Sequence, residues 1–116
     1  MMEKTTFVRR WGYVLADDTV EDFTAAPIIV RGLVAYDLVT ASDETTKATL
    51  LMVGFKRGAD EVYLNSQMPG AKGDLVTTVN RVFVSADYRP FVRVYGGTVG
   101  DKIVLCAYGY YTEARD

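Results

Sequence analysis

Apolar and polar positions alternate in short runs along most of this 116-residue chain. A period of two places successive side chains on opposite faces of a β-strand. The clearest case is the closing stretch Arg81–Tyr111. There, three apolar-rich runs are cut by a polar break at Ser85–Arg89 and a glycine loop at Gly96–Asp101. From Pro90 to Tyr95, Val92 and Val94 share one face, and Phe91, Arg93 and Tyr95 share the other. β-Branched residues pack well on a pleated surface, so the valines predict the core face. Phe91, Arg93 and Tyr95 then predict a rim or contact surface. In the run Lys102–Tyr111, the set Ile103, Leu105, Ala107, Gly109 and Tyr111 alternates with Lys102, Val104, Cys106, Tyr108 and Tyr110. Both faces are largely apolar, which predicts a central strand or one that meets a partner through Tyr108 and Tyr110.

The rest of the chain reads in the same way. Thr5–Leu15 predicts a strand with Phe7, Arg9, Trp11 and Tyr13 on one face, and Gly12 marks a bulge or a close neighbouring backbone. Ala16–Ala26 is acidic and turn-like, with Thr19 capping one helical turn over Val20–Phe23. Pro27 opens a strand through Val39, kinked at Gly32, with Ile28, Val30, Val34, Tyr36 and Leu38 together. Thr40–Thr46 is a polar loop, Lys47–Phe55 a central strand, Lys56–Asp60 a turn and Glu61–Asn65 a short strand. Ser66–Gly73 is a loop, Asp74–Val84 a weaker and more exposed strand, and Thr112–Asp116 a polar tail that frays.

This spacing gives about seven or eight short strands, the signature of a sandwich or barrel. The expectation is an all-β, antiparallel, jelly-roll-like β-sandwich forming a single domain over residues 1–116. Strand count alone leaves an immunoglobulin-like sandwich or a small barrel open. The paired cysteines of true immunoglobulin domains are absent, because Cys106 is the one cysteine. Its place in a strand predicts a small buried hydrophobe rather than a nucleophile.

Composition narrows the chemistry. Hydrophobic residues make up 49% of the chain, enough for a core without disulfide or metal staples. There is no histidine, which removes the commonest general base, metal ligand and nucleophile activator. Zinc sites of the usual cysteine and histidine type are excluded. The acidic doublets Asp17/Asp18, Glu21/Asp22, Asp43/Glu44 and Asp60/Glu61 fall in loops or at strand edges, where solvated charges normally sit. The chain is therefore expected to be no enzyme, with no catalytic residue, cofactor or metal. Its polar N-terminus lacks the apolar segment of a signal peptide, and no stretch reaches the roughly 20 apolar residues that span a bilayer. A soluble, cytoplasmically made protein without a membrane partner is expected.

Two binding alternatives stay open. Phe83, Tyr88, Phe91 and Tyr95 interleave with Arg81, Arg89 and Arg93, as in barrels that bind single-stranded nucleic acid. Sheet packing with solubilising arginines is the preferred explanation. A net charge of −2 and the lack of a lysine-rich run weaken the nucleic-acid reading. The tyrosines Tyr108, Tyr110 and Tyr111 could stack on sugar rings, so a carbohydrate-binding module is the other alternative. Tyrosine is equally at home in protein interfaces.

The cadence FVRVY, GGTVGD, IVLCAYGYY resembles the end of small single jelly-roll virion proteins of tailed bacteriophages. The likeness spans Pro27–Tyr111 in rhythm and carries over no functional residue. It implies a structural role: decorating or cementing a capsid, or building a tail or fibre attachment. It also implies a homo-oligomer or other capsid proteins as partners and a location in the virion; strand alternation, rather than the likeness, offers Phe91, Arg93, Tyr95, Tyr108 and Tyr110 as the interface.

Overall fold

A computed structural model of the chain describes residues 2–114. Nine strands follow one another: β1 (Met2–Val14), β2 (Val20–Thr24), β3 (Leu33–Asp43), β4 (Leu50–Arg57), β5 (Asp60–Gln67), β6 (Val76–Thr77), β7 (Val82–Ser85), β8 (Arg89–Tyr95) and β9 (Lys102–Ala114). One antiparallel sheet has the order β1-β9-β3-β6, with β7 also paired to β3, and the other has the order β2-β8-β4-β5. The chain changes sheet at nearly every connection, and the β4–β5 hairpin is the main exception. Neighbours in space are thus far apart in sequence, as with β1 and β9. This is a jelly roll, the double-sheet form of Greek-key winding.

The core lies where the two sheets face each other. Phe7 from β1, Val34, Tyr36, Val39 and Ala41 from β3, and Ile103, Leu105 and Ala107 from β9 line one side. Leu51, Val53 and Phe55 from β4, with Val92 and Val94 from β8, line the other. Tyr36 links the layers, 5.6 Å edge-on from Phe7 and 4.7 Å from Phe55 between ring centroids. Each fully buried large side chain contributes about 1.5–3 kcal/mol by leaving water. The alternation of β8 and β9 holds as expected: Val92, Val94, Ile103, Leu105 and Ala107 all point inward.

Several expectations need correction. Val20–Thr24 is strand β2, with no helical turn, because its backbone pairs with β8 from Val20↔Tyr95 to Thr24↔Phe91. The turn before it is held by acids: Glu21 accepts the N–H groups of Ala16 and Asp17, and Asp17 accepts that of Thr19. β3 starts after Gly32 rather than at Pro27, and it runs on through Asp43, where a loop was expected. It carries a bulge between Tyr36 and Leu38 against β9. The extra residue turns Leu38 outward, opposite Tyr108, and puts Val39 and Ala41 in the core. Gly12 marks neither a bulge nor a close contact, since the β1–β9 register is unbroken and the space beside it is open. The expected strand Asp74–Val84 is two short pieces, β6 and β7. β1 begins at Met2, and β9 continues through Ala114 instead of fraying from Thr112; Arg115 and Asp116 lie outside the described residues. Cys106 is half-buried on the outer face of its sheet rather than buried in the core.

Candidate assembly surfaces

The five side chains singled out from sequence lie on opposite sides of the sandwich. Phe91, Arg93 and Tyr95 belong to the outer face of the four-stranded sheet. Tyr108 and Tyr110 belong to the outer face of the five-stranded sheet.

On the four-stranded sheet, Phe91 is completely buried although it points away from the core. Gly54 of the neighbouring strand makes room for it: a Cβ there would lie 3.0 Å from the Phe91 ring and 2.1 Å from the Val62 carbonyl oxygen. Lys56 Nζ lies 4.8 Å from the ring centroid and Arg93 Cζ 5.4 Å from it, close enough for cation–π attraction. These two cations meet two anions. Arg93 donates to Asp22 through two nitrogens, at 2.6 and 2.8 Å, and to Glu61 at 2.6 Å. Lys56 donates to Asp22 and lies 3.4 Å from Glu61. Burial alone would raise the Asp22 carboxyl, but the hydrogen bonds from Arg93 and Lys56 outweigh it and hold the group below its ordinary range. Hydrogen bonds from Arg93 to Asp22 and Glu61 in turn hold its guanidinium firmly protonated. The network is closed and neutral, with both cations already engaged.

The other arginines of the interleaved set are also occupied. Arg89 donates to the Ala25 carbonyl at 2.5 Å, and Arg81 pairs with Asp37. Arg81 also stands 5.2 Å from the Tyr110 ring, with Lys4 Nζ 4.3 Å from the same ring. Tyr110 is therefore clamped between cations, and Tyr108 is the more open of the two tyrosines, 36% exposed.

Around Tyr108 the register assembles an apolar surface that the sequence reading missed. Val8 of β1 and Leu38 of β3 flank Tyr108, while Thr6 and Ala35 flank Tyr110, with Phe83 of β7 beyond Ala35. Val8 is 66% exposed, Leu33 60% and Phe83 57%. A shallow groove of about 250 Å³ runs between Leu33, Phe83 and Tyr110. The alternation of β1 and β7 could have signalled Val8 and Phe83. Their meeting with Tyr108 depends on strand order, which the sequence does not carry. A second groove, about 670 Å³, lies at the end of the sandwich between Met2, Ile29, Arg31 and Thr112, with Ile29 at its lip. Among the described residues, no group of three or more acidic or cysteine side chains is placed to hold a metal ion, and no helix is long and apolar enough to cross a membrane.

No family model and no curated protein matches the chain. Solved structures do resemble it. The capsid of the Helicobacter pylori bacteriophage KHP30 superposes with a TM-score of 0.60 at 15% identity, covering 99% of this chain and 100% of that one. A subunit of Bacillus endospore appendages, a family of disulfide-linked pili, gives 0.53 at 14% identity over 97% and 89% of the two chains. The virus-like particle of the extra small virus of the prawn Macrobrachium rosenbergii gives 0.51 at 7% identity over 99% and 81%. At these identities the likeness is one of architecture. Two of the three neighbours are viral capsid proteins, so the architecture-level resemblance to virion jelly rolls holds.

Proposed function

We propose that the chain is a non-enzymatic structural protein of a virus particle, which decorates or stabilises a capsid, or joins head to tail, by self-association of its β-sandwich. The observation that carries this reading is the open apolar surface of the five-stranded sheet, where Val8, Tyr108, Leu33 and Phe83 stand on a rigid jelly roll. Exposed apolar area of this kind on a soluble domain marks a contact surface. The near-complete overlap with capsid subunits supports placing that contact in a particle. Aromatic residues with polar tips suit such contacts, because they add area and keep a hydrogen-bonding group for the rim. Arg81, Arg89 and Arg93 are each engaged by protein groups, which weighs against the nucleic-acid alternative.

Light scattering of the purified protein across a wide concentration range tests this reading. A fixed symmetric oligomer that Tyr108→Asp dissociates, with the fold retained by circular dichroism, is the expected result. A monomer at every concentration that also fails to bind capsid particles overturns it.

A further inference from the structure

β1 is an open edge of unusual length. It is 13 residues long, contains no proline, and pairs with β9 through every residue from Met2 to Val14 without a shift. The other edges are guarded. β6 and β7 have two and four residues, β2 has five, and β5 is bulged against β4. A long straight edge is a template for another strand, and natural proteins leave one open where a partner covers it or block it otherwise.

The direction of the free backbone groups follows from one residue. Lys102 sends its C=O to Glu44 N–H at 2.8 Å and its N–H to Thr45 Oγ1 at 3.0 Å, both away from β1. Its partner Val14 therefore sits in a pair that exchanges no backbone hydrogen bonds. Such pairs alternate along an antiparallel ladder. The even-numbered residues Lys4, Thr6, Val8, Arg10, Gly12 and Val14 thus aim their N–H and C=O groups at the open edge.

We propose that a second copy of this chain covers this edge, with the two β1 strands pairing antiparallel about a two-fold axis at Val8. This deepens the self-association reading above and rests on it. Only an extended strand offers alternating donors and acceptors at the matching spacing. Val8 is the midpoint of Met2–Val14, so this register uses the whole strand. Charge favours it over the two adjacent registers, because like charges directly opposite are destabilising. Centred on Val8, Thr6 faces Arg10, Phe7 faces Arg9 and Lys4 faces Gly12. Centred on Phe7, Lys4 would face Arg10; centred on Arg9, that residue would face itself. The pairing joins two five-stranded sheets into one and makes the Val8–Tyr108 surfaces of the two copies continuous. An isologous contact of this kind closes on itself.

The experiment is a cross-link with a backbone control. Val8→Cys in a Cys106→Ala background places two thiols opposite each other, about 5.5 Å apart at Cα, within disulfide range. Mild oxidation should convert most of the protein to a covalent dimer. Thr6→Pro removes one outward N–H and leaves the β9 ladder whole, so it should halve the light-scattering mass. Oligomers that neither cross-link through position 8 nor respond to Thr6→Pro would overturn edge pairing while leaving self-association standing. A wild type that is monomeric throughout, with no cross-link, removes the edge pairing and its basis together.

Discussion

Thr46 joins Asp43 to Asp101: its backbone N–H donates to Asp43 Oδ1 at 3.1 Å, and its hydroxyl donates to Asp101 Oδ2 at 2.5 Å. Both carboxyl groups are buried. Asp43 Oδ1 also accepts from Thr45 N–H at 3.0 Å, and Asp101 Oδ2 from Thr98 N–H at 3.0 Å. Asp43 Oδ2 has no hydrogen-bond partner among the described residues. The backbone closes round the pair, since Leu15 N–H donates to the Asp101 carbonyl and Gly73 N–H to the Asp43 carbonyl. Four inter-strand connections therefore meet at this end of the sandwich, tied through two acids that cannot both ionise cheaply. Burial, reinforced by the neighbouring Asp101 carboxyl, pushes Asp43 up to about 6. Burial acts against ionisation of Asp101 as well, but the neighbouring Asp43 carboxyl and the hydrogen bonds from Thr46 and Thr98 hold it below the usual range. The pair keeps one proton into the mildly acid range.

Stability should accordingly fall between about pH 4 and pH 7. The folded state binds the Asp43 proton more tightly than the unfolded chain does. That contribution is complete below the ordinary carboxylate value and is lost as pH rises through about 6. Its size is on the order of 2 kcal/mol. Asp43→Asn keeps the Oδ1 acceptor for Thr45 and Thr46 and supplies a permanent donor in place of the acid proton. The variant's urea midpoint should stay flat from pH 4.5 to 7 while the wild type's declines. Parallel curves would show that the acids do not share a proton.

The opposite sign belongs to the four-stranded sheet. Asp22 is held below its ordinary range by Arg93 and Lys56, so its contribution is present at neutral pH and is lost as pH falls through its folded value. Asp22→Asn should cost about 1–3 kcal/mol, because Arg93 and Lys56 are both largely buried and lose their shared partner. Thermal unfolding at neutral pH reads this directly. At a pH low enough to protonate Asp22, wild type and variant should converge.

Phe91 shows where alternation along one strand stops being informative. Its sequence neighbours placed it correctly on the face opposite Val92 and Val94. That face is closed over it by Lys56 and Arg93, and the space beneath is opened by Gly54, a residue of another strand. The inward sets of β8 and β9 were legible because period two is local. Strand β2 was not, since Val20–Thr24 is rich in polar and acidic residues and becomes a strand only through pairing with β8. The Asp43–Asp101 pair was hidden for the same reason: each acid reads as a loop residue, and only the winding of the chain brings them together. Phe91→Ala should cost about 3–5 kcal/mol, as for a core phenylalanine. Tyr108→Ala should cost far less. Equal losses in a denaturation series would mean that Phe91 is not enclosed.

Gly109 offers a sharper test of the fold, because β9 contains it at the point where β3 bulges. A Cβ at Gly109 would lie 1.9 Å from the Ala35 carbonyl oxygen and 3.1 Å from the Phe7 ring. Neither obstacle can move alone: Ala35 is held in the β3–β9 ladder, and Phe7 packs against Tyr36 and Tyr111. Gly109→Ala should therefore destabilise by at least the ~1–3 kcal/mol typical of overpacking. The clash lies beside the bulge, in the regular stretch Val34–Tyr36 that precedes it. Gly12→Ala is the control. It lies in the same β1–β9 ladder with open space around it, and removing a glycine there should add about 0.5–1 kcal/mol by restricting the unfolded chain. The two substitutions add the same methyl group to neighbouring strands and should move the urea midpoint in opposite directions. If both are neutral, the Ala35 backbone does not cross the space beside Gly109.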